Sequence, residues 1–157
     1  MDKINSTESR RTEIQVALDA ARPSLARNQA GQFATPPELA LDIMRFALRI
    51  HGEQPIRFLE PSCGSGSFIS ALLQEAPATQ IASVVGVELD PRFVDAATSL
   101  WGEFAEIVEG DFIDWAGGVS KSANLVVANP PYVRHHHLSS DQKRLFSLTL
   151  AKELGIP

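Results

Sequence analysis

Cysteine and long apolar runs are nearly absent from this sequence. Cys63 is the only cysteine among 157 residues, so an internal disulfide is excluded and a reducing compartment is expected. No segment approaches the roughly 18–20 unbroken apolar residues of a membrane span, and the N-terminus lacks a signal-peptide pattern. We therefore expect a cytoplasmic protein that makes no contact with a membrane.

Basic residues are also too few for a typical nucleic-acid-binding surface. The formal net charge is −5, whereas a basic face is the usual feature of proteins that bind phosphates. The acidic residues are concentrated in residues 35–133, and the flanking segments are net basic. If the protein handles DNA, most of the duplex contact must come from elsewhere. The acidic middle favours a site for a cation or a hydroxyl-rich cofactor.

Apolar segments alternate with helix signals along the chain, which is 44% hydrophobic. Strands are predicted over 56–60, 81–89, 105–108 and 125–128. Helices are predicted over 10–22, from Thr35 to about Ile50, over 68–75, over 91–101 and over about 141–154, with residues 1–9 frayed. In the second helix we expect Thr35 as the N-cap, Pro36 at the first helical position and Glu38 closing a capping box. The alternation predicts βαβ units, and hence an α/β fold with a parallel sheet.

A loop of small residues, 61–67, follows the first predicted strand. Gly64 and Gly66 permit unusual backbone angles and close approach to a ligand. Position 69 is Ile69 rather than glycine, so the loop lacks the G-x-G-x-x-G pattern and a dinucleotide pyrophosphate is disfavoured. The alternative is an ordinary strand-to-helix turn.

Asn129-Pro130-Pro131-Tyr132 follows the last predicted strand. The Asn129 side-chain oxygen can accept a hydrogen bond from an amino N–H. The prolines fix the backbone, so that a neighbouring carbonyl can accept a second N–H in a set geometry. The tyrosine ring can stack on a planar group. The stretch therefore indicates a site for a flat amine, such as the exocyclic amine of a nucleobase.

Acidic side chains follow the second and third strands. Glu88 can accept hydrogen bonds from two ribose hydroxyls, or it is a solvated carboxylate or a helix cap, although Asp90 is the better cap. Asp111 can accept from an adenine amino group and Phe112 can cover an adenine face, or Gly110-Asp111 is simply a turn. Because the carboxyl ends of parallel strands share one edge of a sheet, we expect all these residues to converge.

Three further features have competing interpretations. The helix that begins near Thr35 can hold an anionic carboxylate at its N-terminus, or its first residues serve only as a cap. Cys63 is predicted to be a packed small residue, since no basic partner lies near it in the sequence. His135-His136-His137 cannot all face one metal on a regular element, so no metal site is predicted. Together with Arg134 they line the rim of the site or form a solvated loop.

Taken together, these stretches resemble the S-adenosylmethionine-dependent DNA adenine-N6 methyltransferases of type II restriction–modification systems. The resemblance rests on four motifs in order, at 31–37, 58–66, 85–90 with 110–112, and 129–132. It implies a Rossmann-like class I methyltransferase sheet, of which the chain supplies the first four parallel strands. The order of the motifs is similar to that of the subgroup whose target-recognition domain follows the catalytic domain.

The resemblance also implies roles for individual residues. Thr35 would contact the methionine moiety of the cofactor, Glu88 its ribose, and Asp111 and Phe112 its adenine. Asn129 and the Pro130 carbonyl would accept from the target amine, and Tyr132 would stack on a flipped base. The implied cofactor-binding set is Phe33, Thr35, Glu60, Pro61, Cys63, Gly64, Gly66, Glu88, Asp111 and Phe112, and the implied catalytic set is Asn129, Pro130, Pro131 and Tyr132.

The resemblance covers only part of the family's catalytic domain. We therefore expect an N-terminal fragment or one half of a split enzyme, with a helical segment at 1–27 and a partial cofactor-binding domain at 28–157. Expected partners are double-stranded DNA, mainly through regions outside this chain, and a cognate endonuclease or a complementary chain. The alternatives are a methyltransferase of the same fold that acts on a protein glutamine or an RNA guanine amine, and an inactive fragment that needs a partner chain.

Overall fold

The structure, a computed structural model, describes residues 2–21, 33–116 and 123–131. Within these ranges the helices are α1 (Asp2–Ala20), α2 (Pro37–His51), α3 (Ser67–Glu75), α4 (Pro91–Trp101) and α5 (Phe112–Ala116). The strands are β1 (Ile56–Pro61), β2 (Ile81–Glu88), β3 (Glu106–Glu109) and β4 (Leu125–Val126). No helix in the described ranges is long and apolar enough to cross a membrane.

The four strands form one parallel sheet in the order β3-β2-β1-β4. Two successive crossovers, through α3 and α4, step in the same direction from β1 to β2 to β3. Right-handed crossovers therefore place α3 and α4 on the same face of the sheet. The next described strand, β4, lies on the opposite side of β1. The predicted parallel α/β sheet is confirmed, and its strand order reverses beside β1.

A single apolar core joins the sheet to the helices. Its fully buried side chains include Met44 of α2, Phe58 of β1, Ile69 of α3 and Trp101 of α4. Ala40 and Met44 form the buried face of α2, while Ile43 and Ala47 pack at the edge of the core. α1 packs against α3 and α4, so it contacts the sheet's helical layer.

The predictions for the N-terminal part of the chain need two corrections. The segment expected to fray is helical from Asp2. α1 is held by the polar contacts of Lys3 and Arg11 and by the packing of Ile14 against the core, while Ala17 is exposed. Thr35 is not the N-cap of α2: Pro36 occupies that position with φ −57° and ψ 143°, and no side chain caps the helix. Because Pro36 and Pro37 lack N–H groups, a capping side chain has fewer donors to satisfy. The capping box with Glu38 is therefore wrong.

β4 is shorter than predicted. Only residues 125–126 are strand, and the Val127 N–H adds one more hydrogen bond, of 3.2 Å, to the Leu59 carbonyl of β1. Pairing stops before Pro130 and Pro131, which have no N–H to donate. The predicted boundary at 27/28 and the predicted helix at about 141–154 lie outside the described residues.

Candidate functional site

The reversal of strand order fixes the position of the site. β1 and β4 are neighbours in the sheet, and the chain that leaves the carboxyl end of β1 passes through α3 to β2, away from β4. In open α/β sheets this divergence forms the crevice in which ligands bind. The small-residue loop, residues 62–66, leaves β1, and Asn129 follows β4. The topology therefore brings two of the predicted motifs to one crevice.

The loop holds its shape through three residues with positive φ: Ser62 at 58°, Gly64 at 56° and Gly66 at 87°. A Cβ added to Gly66 would lie 2.7 Å from two atoms of the Trp101 indole, so this glycine is required by packing as well as by its backbone angle. A Cβ added to Gly64 would meet nothing within 4 Å. One glycine thus seats the loop on α4, while the other faces open space that a ligand can enter.

Glu60 holds the loop from below. Its buried carboxylate accepts hydrogen bonds from the N–H groups of Phe68 and Ile69, at 3.2 and 2.8 Å, which lie in the first turn of α3. Burial raises the pKa of Glu60 to about 8, opposed by these two hydrogen bonds and by the charge of Arg11. The side chain is therefore engaged with α3, and it bounds the loop rather than extending into the crevice.

Glu88 connects the end of β2 to the same loop. One oxygen accepts from the N–H groups of Leu89 and Asp90 at 2.9 and 2.8 Å, and the other accepts from Gly64 at 2.8 Å. A carboxylate offers about four acceptor positions, so about one is left for a ligand. Asp90 caps α4 by accepting from the Arg92 N–H, as predicted.

The Asn129 amide has a defined orientation. Its Nδ2 donates to the Phe33 carbonyl at 3.3 Å and to Thr35 Oγ1 at 3.1 Å. A carbonyl oxygen can only accept, so the amino side of the amide must face Phe33. Among the described residues no donor reaches Asn129 Oδ1. Residues about ninety-five positions apart in the sequence thus cooperate to leave one acceptor oxygen available.

The other predicted ligand contacts are placed less specifically. Asp111 is exposed and accepts from the Ile113 N–H at 2.8 Å, as a cap of α5 does. The Phe112 ring lies 6.1 Å from the Trp115 ring. Both residues follow β3, which β2 and β1 separate from β4. Their contact with a cofactor adenine stays a prediction.

Cys63 is buried in the loop, as predicted. Burial raises the pKa of its thiol, and the nearby carboxylates of Glu60 and Glu88 raise it further. The thiol is therefore protonated and unsuited to act as a nucleophile. Within 2–21, 33–116 and 123–131, no three His, Cys, Asp or Glu side chains are grouped as a metal site requires. Tyr132 and His135-His136-His137 lie outside the described residues.

Sequence reasoning missed a polar cluster behind the loop. Arg11 of α1 is 2% exposed and donates to the hydroxyls of Ser65 and Ser67. Trp101 Nε1 donates to the Ser65 carbonyl at 2.9 Å. A charged residue on a surface helix is ordinarily expected to be exposed to solvent. The sequence around Arg11 contains no pattern that predicts its burial.

Comparison with curated proteins gives matches over most of the chain. The modification methylase CviBIII of Paramecium bursaria Chlorella virus NC1A is 30% identical over 123 residues, which are 78% of this chain and 31% of that protein. The type II methyltransferase M.CvrRI of Paramecium bursaria Chlorella virus XZ-6E is 35% identical over 107 residues, 68% of this chain and 25% of that protein. The chain is similar to part of each of these methyltransferases.

This chain spans only about a quarter to a third of the length of these methyltransferases. A shorter match, 31% identical over 44% of the chain, is to a tRNA1(Val) (adenine(37)-N6)-methyltransferase of Erwinia tasmaniensis, of which it covers 30%. No protein-family model matches the chain.

The fold is also that of a solved methyltransferase. The methyltransferase subunit of a type I restriction-modification system from Streptococcus thermophilus superposes with a TM-score of 0.52, at 24% identity, over 64% of this chain and 23% of that subunit. At this identity the likeness shows the fold alone. The predicted Rossmann-like methyltransferase sheet is confirmed.

Proposed function

We propose that this chain carries the S-adenosylmethionine site and the amine-binding site of a DNA adenine-N6 methyltransferase of a type II restriction–modification system. The type II relatives support the reaction class, and the positions of the loop and Asn129 in one crevice support the two sites. Double-stranded DNA is the proposed substrate. A cognate endonuclease or a complementary chain is the proposed partner, and the cytoplasm is the proposed location.

The orientation of the Asn129 amide is the observation that carries the proposal. Phe33 and Thr35 take up the donor side of the amide and leave Oδ1 as an acceptor. An acceptor held in a fixed direction suits a substrate N–H and disfavours a substrate carbonyl or carboxylate. The preference for an amine is therefore set by contacts from outside the Asn129-Pro130-Pro131-Tyr132 stretch.

Catalysis in such a site requires positioning more than acid–base chemistry. Asn129 Oδ1 and the Pro130 carbonyl would accept the two N–H groups of the amine and direct the nitrogen lone pair at the methyl group. Accumulating positive charge on the nitrogen is stabilised by these two oxygens without any reorganisation. A base in duplex DNA must leave the stack to reach them, and Tyr132 is the proposed stacking partner.

The loop fits an adenosyl cofactor, which supplies the methyl group when bound. Gly64 presents backbone to open space, and Glu88 keeps about one acceptor position for a hydroxyl. Thr35 is buried beside Asn129 and is the proposed contact for the methionine moiety. Phe33, Pro61, Cys63 and Gly66 complete the proposed binding set, with Asp111 and Phe112 at the adenine. Glu60 contributes to the set indirectly, because its carboxylate binds the first turn of α3 and so holds the end of the loop.

The proposal is tested by binding and by single-turnover transfer. We expect the chain to bind S-adenosylmethionine in a calorimetric titration. With excess protein and tritium-labelled cofactor, we expect label in duplex DNA, located in N6-methyladenine after digestion. Asn129→Ala should abolish transfer and retain cofactor binding. Failure of the wild-type chain to bind the cofactor, or transfer by Asn129→Ala at the wild-type rate, contradicts the proposal.

Asn124→Ala is the matched control. Asn124 also makes two hydrogen bonds through its side-chain amide, to the Pro55 carbonyl and from the Arg57 N–H, but it precedes β4 and lies away from the crevice. Its loss should cost stability without changing the ratio of transfer to binding. A fall in transfer equal to that of Asn129→Ala would show that the Asn129 effect is only structural.

A second substrate class is favoured by the match to a tRNA adenine-N6-methyltransferase. The same amide geometry serves an adenine amine in RNA, a guanine amine or a protein glutamine. The tritium assay with duplex DNA, transfer RNA and a glutamine-containing peptide in parallel separates these classes. Label in RNA or peptide but not in DNA would replace the proposed substrate while leaving the amine site in place.

A further inference from the structure

Helix α1 carries a buried cation. Arg11 is 2% exposed, and its Nε and Nη2 both donate to the carboxylate of Glu8, each at 2.7 Å. Burying a guanidinium is unfavourable unless it is paired and hydrogen-bonded. Glu8 supplies the opposite charge from the same helix, one turn earlier. The pair therefore reaches the protein interior already neutralised.

The remaining side of the guanidinium faces the small-residue loop. Nη1 donates to Ser65 Oγ at 3.0 Å and to Ser67 Oγ at 3.1 Å. Ser65 Oγ in turn donates to Gln15 Oε1 of α1 at 2.8 Å. Since Trp101 binds the Ser65 carbonyl from α4, Ser65 is held between two helices. Arg11 and Gln15 of α1 thus bind the loop at Ser65, the residue before Gly66.

The contacts continue from the loop to the amine-binding residue. Ser67 Oγ donates to the Thr35 carbonyl at 3.4 Å, and Thr35 Oγ1 accepts from Asn129 Nδ2 at 3.1 Å. Arg11 is therefore two residues removed from Asn129 along a chain of hydrogen bonds. The guanidinium therefore contacts both Ser65 of the loop and Ser67, the first residue in the series of hydrogen bonds that leads to Asn129.

A neutral clamp would suffice if Arg11 only held α1 against the loop. The helix dipole favours negative charge at the N-terminus of α3, so the cation depends there on the carboxylates of Glu8 and Glu60. Two serine hydroxyls and one glutamine could pair among themselves without a buried charge. What a planar, multiply donating guanidinium adds is a fixed geometry for several acceptors at once.

We propose that Arg11 is a positioning residue, and that α1 is thereby part of the methyl-transfer site. It fixes Ser65 and Ser67, and through them the open face at Gly64 and the Thr35–Asn129 contact. The statement about cofactor affinity rests on the proposed function, whereas the statement about the loop does not.

The test compares Arg11→Met with Arg10→Met. Arg10 lies next to Arg11 on α1 but is exposed, so the same chemical change there removes no contact of the loop. The first readout is hydrogen exchange of the Trp101 indole Nε1–H, followed by NMR, which reports the hydrogen bond to the Ser65 carbonyl. The second readout is the dissociation constant for S-adenosylmethionine at a temperature where both variants are folded by circular dichroism.

In Arg11→Met we expect exchange of the Trp101 indole to accelerate about tenfold relative to the backbone amides of β2, and cofactor affinity to fall about tenfold. Arg11→Lys should restore part of the indole protection and part of the cofactor affinity. Lysine keeps the positive charge but lacks the planar guanidinium that donates to several acceptors at once. Arg10→Met should match the wild type. The proposal is overturned if the exchange rates of the indole and of the β2 amides rise equally in Arg11→Met. It is also overturned if the exchange rate of the indole does not change.

The two proposals fail separately. If the wild-type chain does not bind S-adenosylmethionine, the proposed function fails, and the exchange data still decide whether Arg11 positions the loop. If Arg11→Met does not fold, Ser65→Ala takes its place, because it removes the loop hydroxyl that Arg11 and Gln15 share. Unchanged indole exchange in Ser65→Ala then overturns the positioning role.

Discussion

Gly66→Ala should destabilise this protein far more than Gly64→Ala. Both glycines have positive φ, at 87° and 56°, so an alanine at either position incurs the cost of a left-handed residue, about 1–2 kcal/mol. Only at position 66 does the added methyl group also meet a neighbour, at 2.7 Å from the Trp101 indole. The difference between the two variants therefore isolates that collision.

The magnitude follows from what Trp101 must give up. Overpacking a buried site costs about 1–3 kcal/mol. Moving the indole also loses its hydrogen bond to the Ser65 carbonyl, which contributes about 1 kcal/mol. We expect Gly66→Ala to lower the free energy of unfolding by about 3–6 kcal/mol, against about 1–2 kcal/mol for Gly64→Ala.

Urea unfolding followed by circular dichroism measures both values. Gly110→Ala is the neutral control, since its backbone is not in the positive-φ region and its added methyl group would meet nothing within 4 Å. Cofactor binding should show the opposite order among folded variants. Gly64→Ala places a methyl group in the open face of the loop, so it should weaken S-adenosylmethionine binding although it is the more stable variant.

Equal destabilisation by the two variants would refute the reasoning, because the indole contact would then carry no energy. A double-mutant cycle gives an independent check. Trp101→Ala removes the indole that the methyl group would meet, so it should be less harmful in the Gly66→Ala background than alone. Strict additivity of the two substitutions would contradict the geometry.

Three further predictions concern titration, reactivity and the amide contact. Because burial raises the Glu60 pKa from 4.5 to about 8, its contribution to stability is complete below about pH 4.5 and is lost as the pH rises to about 8. The free energy of unfolding should fall by up to about 1.4 kcal/mol per pH unit in that window. Urea titrations should show a flatter profile for Glu60→Gln; an equal slope would exclude Glu60 as the source. The Cys63 thiol should react with a thiol reagent at pH 8 only after unfolding in urea; rapid labelling of the native chain would contradict its burial. Thr35→Val should lower methyl transfer more than Thr35→Ser, which keeps the hydroxyl that Asn129 donates to; equal losses in the tritium assay would count against that contact.

Regular periodicity made most of the fold predictable. Strand β1, helix α3 and helix α4 were predicted within one residue, because their apolar residues and their helix-start residues are local features. Asp90 was identified as a cap for the same reason. Predictions that depended on distant partners did worse. α1 begins at residue 2 because of contacts with other elements, and Thr35 serves Asn129 instead of its own helix.

The sequence by itself determined the order of the four strands and of the described helices other than α5, the small-residue loop, and Asn129 as a candidate acceptor, since spacing and composition encode these. Only the tertiary structure decided which side of the Asn129 amide is available, which glycine of the loop faces open space, and that Arg11 lies behind the loop. Each of these depends on hydrogen bonds or close contacts between residues tens of positions apart. Such contacts produce no periodic pattern of residues in the sequence, because they arise only when the sheet places the carboxyl ends of β1 and β4 side by side.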